Sequence, residues 1–159
     1  MSSVSATVLR GHKDSVESVF QSSSGQLFSS SSDGTVRMWD VRVKQSSVRL
    51  FKIPPVTGDV GFCKEANSLL CVSRGSSLFG YDLRHSSVIV GAPNFTYSRP
   101  EEDDEVNDFS IYNGSILVPS DSGSVSILDL SLFTEKSSRL AHTNIASVSR
   151  GLPSETISG

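Results

Sequence analysis

Short runs of apolar and β-branched residues alternate with turn residues along most of the chain. The runs are TVRMW, SLLCV, SVIVG, SILVP and SVSILDL, and the segments between them contain SSG, DG, PPVTG, NG and SGS. Glycine and asparagine accept the positive φ that tight turns need, so these segments predict turns between strands. No window repeats apolar residues at i, i+3, i+4 and i+7 over three turns. The pattern therefore predicts an all-β chain.

An internal repeat organises these predicted strands. The segments RMWDVR (37–42), FGYDLR (79–84) and SILDLS (126–131) share an aromatic residue or leucine, then aspartate, then an aliphatic residue. Their aspartates are 42 and 47 residues apart, and each segment follows an apolar run and a turn of small residues. A period of this length with several strands in each unit is typical of a β-propeller blade.

The first repeat carries a specific resemblance. Residues 9–42 resemble a WD repeat, with Gly11-His12 near the start and Trp39-Asp40 near the end. The later repeats resemble the same family more weakly, because Tyr81 and Leu128 replace the tryptophan. The resemblance implies a WD-repeat β-propeller built from four-stranded antiparallel blades.

The resemblance also implies a division of the chain. Ala141-His142 resembles the Gly-His of a fourth repeat, after which no further strand, turn or Trp-Asp follows. Because propellers close with about four to eight blades, we expect an incomplete ring, and hence a truncated product that needs further blades or a partner. The expected parts are a tail (1–8), a partial propeller (9–149, with repeats at 9–42, 48–84 and 88–130 and a fourth start at 139–149) and a second tail (150–159).

Composition limits the compartment and the partners. The chain has 159 residues with 36% hydrophobic residues, enough for one modest core, and no apolar run or leader that predicts a membrane span or a secretory signal. A net charge of -3 provides no basic field for nucleic acid. We therefore expect a protein of the cytoplasm or nucleus that binds neither membranes nor nucleic acid. Residues expected to be buried include Cys63, Cys71, Phe28, Phe62, Phe79 and Phe109.

Serines, a histidine and an aspartate of the first repeat raise the question of catalysis. A Ser-His-Asp triad needs an activated serine beside an oxyanion hole, and no Gly-x-Ser-x-Gly elbow is present. The WD resemblance implies instead a structural hydrogen-bond relay of His12, Ser31, Asp33 and Trp39, with Ser29 as the second choice for the serine. The later repeats have no such relay and are expected to be weaker locally.

A second resemblance concerns partner binding. Residues 27–42 resemble a box found in WD-repeat substrate receptors of cullin-RING ubiquitin ligases that use the damaged-DNA-binding adaptor protein. A poorer copy ends at YDLR, so the predicted partner-binding residues are Asp40, Arg42, Asp82 and Arg84. In that family the arginine two residues after Trp-Asp lies at one face of the propeller, where a guanidinium can engage carboxylates or carbonyls. The alternative is that each arginine pairs only within its own blade.

These observations favour a protein-interaction scaffold without enzyme activity, cofactor or metal. The leading hypothesis is a substrate receptor of a cullin-RING ligase that docks the adaptor through Arg42 and Arg84. The alternative is a structural scaffold in a multiprotein or chromatin complex unrelated to ubiquitin.

Overall fold

The computed structural model describes residues 2–43, 47–100 and 103–130, and all regular structure in these ranges is β-strand. No helix in the described ranges is long and apolar enough to cross a membrane. The predicted fourth-repeat start (139–149) and the tail after it lie outside the described residues. The strands are β1 (Val16–Gln21), β2 (Leu27–Ser31), β3 (Thr35–Trp39), β4 (Arg49–Lys52), β5 (Val60–Ala66), β6 (Leu69–Arg74), β7 (Ser77–Asp82), β8 (Ile89–Val90), β9 (Phe95–Ser98), β10 (Ser110–Tyr112), β11 (Ser115–Pro119) and β12 (Val125–Asp129).

The strands form three blades. The first sheet has the order β1-β2-β3-β4 with β8 added at its outer edge, the second has the order β5-β6-β7-β9, and the third has the order β10-β11-β12. All pairs are antiparallel except β4 with β8. The predictions of an all-β fold and of an unclosed array of blades are confirmed over the described residues. The outer strand β4 follows Trp39-Asp40, so structural blades and sequence repeats are offset by one strand.

Two apolar clusters hold the blades together. One side of the second blade packs against the first blade, and its other side packs against the third. Alternation along β6 explains this arrangement, because successive side chains point to opposite faces of a sheet. Leu70 and Val72 accordingly belong to the first interface, and Leu69 and Cys71 belong to the second. Because β6 is buried on both faces, its sequence contains the continuous apolar run LLCV instead of an alternating pattern.

The prediction of a buried Phe62 is wrong. Phe28, Phe79 and Phe109 are buried, whereas Phe62 is exposed. A β-bulge interrupts the pairing of β5 with β6 between Val60 and Cys63. The extra residue shifts the alternation, so both Val60 and Cys63 face the core while Phe62 faces solvent.

Serines of the first blade satisfy the backbone groups that this bulge leaves unpaired. The hydroxyl of Ser30 donates to the carbonyl of Gly61 over 2.6 Å, and the amide of Cys63 donates to Ser18 Oγ over 3.0 Å. The two serine hydroxyls lie 2.8 Å apart. The serine run therefore supplies a polar connection between blades, which keeps buried backbone groups hydrogen-bonded.

Candidate functional site

Asp33 organises the turn between β2 and β3. Its carboxylate accepts hydrogen bonds from the amides of Lys13 and Thr35, both over 3.0 Å, and from Thr35 Oγ1 over 2.6 Å. Nδ1 of His12 lies 3.0 Å from Asp33 Oδ2. Burial opposes ionisation, but these hydrogen bonds outweigh it and lower the pKa of Asp33 to about 2. The turn therefore contains a carboxylate that stays ionised and only accepts hydrogen bonds.

His12 links this turn to the tryptophan at the other end of the hairpin. Because ionised Asp33 can only accept, Nδ1 of His12 carries the proton that it donates. Nε2 of His12 lies 2.8 Å from Ser29 Oγ, and Trp39 Nε1 donates to the same oxygen over 2.7 Å. The edge of the indole also faces the imidazole, with ring centroids 5.9 Å apart. The four side chains form one buried hydrogen-bond relay.

The serine in this relay is Ser29, which corrects the prediction of Ser31. Ser31 pairs with Thr35 beside the turn, whereas Leu27 pairs with Trp39 at the far end of the hairpin. Ser29 and Ser31 lie on the same face of β2, because side chains alternate between faces. Ser31 is two residues nearer the turn, and therefore farther from Trp39, than Ser29 is. Its hydroxyl donates to the carbonyl of Asp14 and accepts from the amide of Asp33.

The second blade fills the corresponding positions differently. Gly75 lies in its β6–β7 turn, and Tyr81 takes the place of the tryptophan. The Tyr81 hydroxyl donates to the carbonyl of Lys52 in the first blade over 2.6 Å, and its ring contacts Phe51 edge-on at 5.4 Å. The second blade therefore uses an interblade contact where the first blade uses a relay within the sheet.

The relay resembles a catalytic triad only in its connectivity. Ser29 is buried, and its oxygen already accepts a hydrogen bond from Trp39. A nucleophilic serine must instead present its oxygen to a substrate beside an oxyanion hole. Within residues 2–43, 47–100 and 103–130, no group of three or more His, Cys, Asp or Glu side chains could hold a metal ion. The geometry therefore favours a structural role for the relay.

Asp40 and Arg42 form a bidentate ion pair, in which two nitrogens of the guanidinium bind the two carboxylate oxygens. We call this pair the first fork. Arg42 donates from Nε to Oδ1 over 2.9 Å and from Nη2 to Oδ2 over 2.7 Å, and its amide also donates to Oδ1. The hydrogen bonds from Arg42 lower the pKa of Asp40 to about 2. The Arg42 side chain is 86% exposed, whereas that of Asp40 is 24% exposed. The fork therefore holds the guanidinium in place while leaving it accessible.

Asp82 and Arg84 repeat this geometry as the second fork. Nε and Nη2 of Arg84 donate to the two carboxylate oxygens over 2.8 and 2.6 Å. The hydrogen bond from Arg84 also lowers the pKa of Asp82. The Asp82 side chain is only 4% exposed, and its amide donates to Asn94 Oδ1. The second fork, which matches the box less well in sequence, is therefore the one whose carboxylate is more deeply buried.

The two forks lie at equivalent places in adjacent blades. Asp40 directly follows β3 and Asp82 ends β7, and each of these is the third strand of its blade. All four predicted partner-binding residues are thus paired within their own blades, and the structure places both forks at the same end of equivalent strands.

Sequence reasoning missed Arg49. This residue begins β4 and donates to the carbonyls of Leu83, His85 and Ser87, which belong to the loop that carries Arg84. Its partners are backbone carbonyls more than thirty positions away. No residue pattern signals such contacts.

Comparisons with known proteins agree with this architecture. The sequence profile of the family described as "WD domain, G-beta repeat" matches residues 3–40. The chain is 30% identical over 145 residues to the protein named WD repeat-containing protein 53 homolog of Dictyostelium discoideum. That match covers 88% of this chain and 39% of the relative, so the chain spans well under half of the relative's length.

Solved structures resemble the fold at low sequence identity. The C-terminal WD40 domain of Sif2 superimposes with a TM-score of 0.62 at 16% identity, covering 80% of this chain and 35% of that one. A chain of a humanized mutant of the Chaetomium thermophilum Polycomb Repressive Complex 2 superimposes with a TM-score of 0.64 at 16% identity, covering 75% and 29%. In both cases this chain matches about a third of a larger architecture.

Proposed function

Because the chain belongs to the WD-repeat family, we propose that it acts as a non-enzymatic protein-interaction scaffold, specifically a substrate receptor of a cullin-RING ubiquitin ligase. In this proposal Arg42 and Arg84 dock the damaged-DNA-binding adaptor, and other surfaces hold the substrate. The proposal requires the protein to be present in the cytoplasm or nucleus.

The observation that carries the proposal is the repetition of the Asp–Arg fork. Two blades that differ in their relay residues keep the same carboxylate–guanidinium geometry. The blade core does not explain this, because the guanidinium of Arg42 is largely exposed and that of Arg84 is about half exposed. The exposed ion pair of Arg42 with Asp40 contributes little to stability. The presence of the same Asp–Arg geometry in both blades is better explained by a partner that binds the two forks.

The forks are suited to binding because each arginine is held before a partner arrives. Arg42 binds Asp40 through Nε and Nη2, and the arginine side chain nevertheless remains 86% exposed. A planar guanidinium that is already oriented loses less conformational entropy on binding than a free side chain does. Arginine is also enriched among the residues that dominate interface energetics.

The test is adaptor binding by the full chain and by a doubly substituted Arg42→Ala, Arg84→Ala protein. We expect the affinity to fall by roughly thirtyfold or more, the loss of about one interface hot spot. The matched control is Arg10→Ala, Lys13→Ala, which removes the same charge from two side chains outside the forks and should bind as the unsubstituted protein does. Unchanged affinity of the Arg42, Arg84 variant would overturn the proposal.

The second candidate is a scaffold in a complex unrelated to ubiquitin. It is favoured by the fact that both arginines already have partners within their blades. An interaction proteome that contains a stable complex but no ligase component would support it. Loss of that complex in the Arg42, Arg84 variant would show that the forks serve the other partner.

A further inference from the structure

Arg49 connects the two blades that carry the forks. It lies in β4, the fourth strand of the first blade, and its guanidinium reaches the loop after β7 in the second blade. Nη1 donates to the carbonyl of Leu83 over 3.2 Å, Nη2 to that of His85 over 2.6 Å, and Nε to that of Ser87 over 3.0 Å. All three nitrogens of one guanidinium therefore bind one loop.

Backbone pairing continues this connection. Leu50 donates its amide to the carbonyl of Val88 over 2.8 Å, and β4 pairs in parallel with β8. The Arg49 guanidinium also lies over the Phe51 ring, 5.0 Å from its centroid. Phe51 is itself fully buried between the first two blades. Arg49 is thus attached to a paired strand and packed on a ring that lies in the core between the first two blades.

The position of Arg84 makes this contact relevant to binding. Arg84 lies directly between Leu83 and His85, whose carbonyls both accept from Arg49. The first fork is also connected to β4, the strand that contains Arg49. The segment after Asp40 leads into β4, and Val48 in this segment donates its amide to the carbonyl of Met38. One side chain therefore lies at the junction of the two fork-bearing loops.

We propose that Arg49 is a positioning residue for partner docking, which fixes the loop of the second fork against the first blade so that Arg42 and Arg84 meet a partner at a constant spacing. The inference rests on the proposed function. The partner surface that fits is a rigid one with two acceptor groups, carboxylates or carbonyls, at a matching separation. A partner that presents acceptors on a mobile tail would gain nothing from such spacing.

The test uses Arg49→Lys, which keeps the charge but cannot bind three carbonyls in one plane. Hydrogen exchange of the amides in residues 83–90 should accelerate by about tenfold or more, because hydrogen bonds from a charged group each contribute measurably. Exchange in β6 should stay unchanged. Adaptor affinity should fall by about tenfold, and Arg10→Lys should change neither readout.

A double-mutant cycle separates positioning from a general loss of structure. Once Arg84 is replaced by alanine, Arg49→Lys should add little further loss of adaptor affinity, because it acts through Arg84. Additive losses, or wild-type affinity of Arg49→Lys while the Arg42, Arg84 variant fails to bind, would overturn the inference and leave the proposed function intact. Wild-type affinity of the Arg42, Arg84 variant would overturn both.

Discussion

Trp39 Nε1 lies 2.7 Å from Ser29 Oγ, and this hydrogen bond joins the last residue of β3 to the middle of β2. His12, in the loop before β1, also hydrogen-bonds to this oxygen, and its other ring nitrogen hydrogen-bonds to Asp33 in the β2–β3 turn. The Ser29 hydroxyl therefore links the indole to both the loop and the turn. The relay therefore holds three separate segments of the first blade in one arrangement.

Replacing Ser29 by alanine should destabilise the protein by about 1–3 kcal/mol, because it leaves the buried Trp39 N–H and a His12 nitrogen without a partner. Denaturant unfolding followed by tryptophan fluorescence measures the change, since Trp39 is the chain's one tryptophan. Ser31→Ala is the matched control. It removes a 3.3 Å hydrogen bond to the carbonyl of Asp14 and a 3.1 Å hydrogen bond from the amide of Asp33. It should cost less, because the buried Trp39 N–H and the His12 nitrogen keep Ser29 as their partner. Equal costs for the two variants would contradict the placement of Ser29 in the relay.

Acid should remove the contribution of Asp33 to stability. Its folded-state pKa of about 2 is below the usual 3.8, so the ionised form is favoured by folding. The contribution is complete above about pH 4 and is lost as the pH falls toward 2. The difference in unfolding free energy between the natural protein and Asp33→Asn should therefore shrink over that range. A constant difference from pH 6 to pH 2 would mean that the carboxylate charge is not what stabilises the turn.

Arg84→Ala should reduce thermal stability more than Arg42→Ala does. The carboxylate left behind at Asp82 is almost completely buried, whereas that at Asp40 is partly exposed to water. An unpaired carboxylate costs more where water cannot solvate it. Melting temperatures of the two variants measure the difference. Asp82→Asn combined with Arg84→Ala should recover part of the loss, and a failure to recover would point to another role for Arg84.

Gly80→Ala should destabilise the second blade by about 1–3 kcal/mol through overpacking. A methyl group at Gly80 would overlap the ring of Phe95, which is buried in the interface between the second and third blades. Gly91→Ala is the control, because no atom lies within 4 Å of a methyl group there. Thermal unfolding of both variants measures the cost. A neutral Gly80→Ala would show that the Phe95 ring can move away.

Local sequence information was enough for the predictions that depend on neighbouring residues. Alternating apolar runs and turn residues predicted an all-β chain, and the repeated aspartates predicted the blades, because strand and turn preferences act within a few positions. The WD-repeat resemblance of residues 9–42 is confirmed by the family match at residues 3–40. The pairing of Asp40 with Arg42 is equally local, since only one residue separates them in the sequence.

Other features were decided only when distant segments came together. Ser29 and Ser31 share a face, so the choice between them depended on the pairing of β2 with β3. Phe62 lies outside the core because of a bulge, and neither composition nor alternation reports the extra residue. Arg49 binds carbonyls, which every residue possesses, so no side-chain pattern could identify its partners. The sequence determined which strands and turns form, because those preferences are local. Pairing between strands determined the roles of Ser29 and Phe62, and contact between blades determined the role of Arg49.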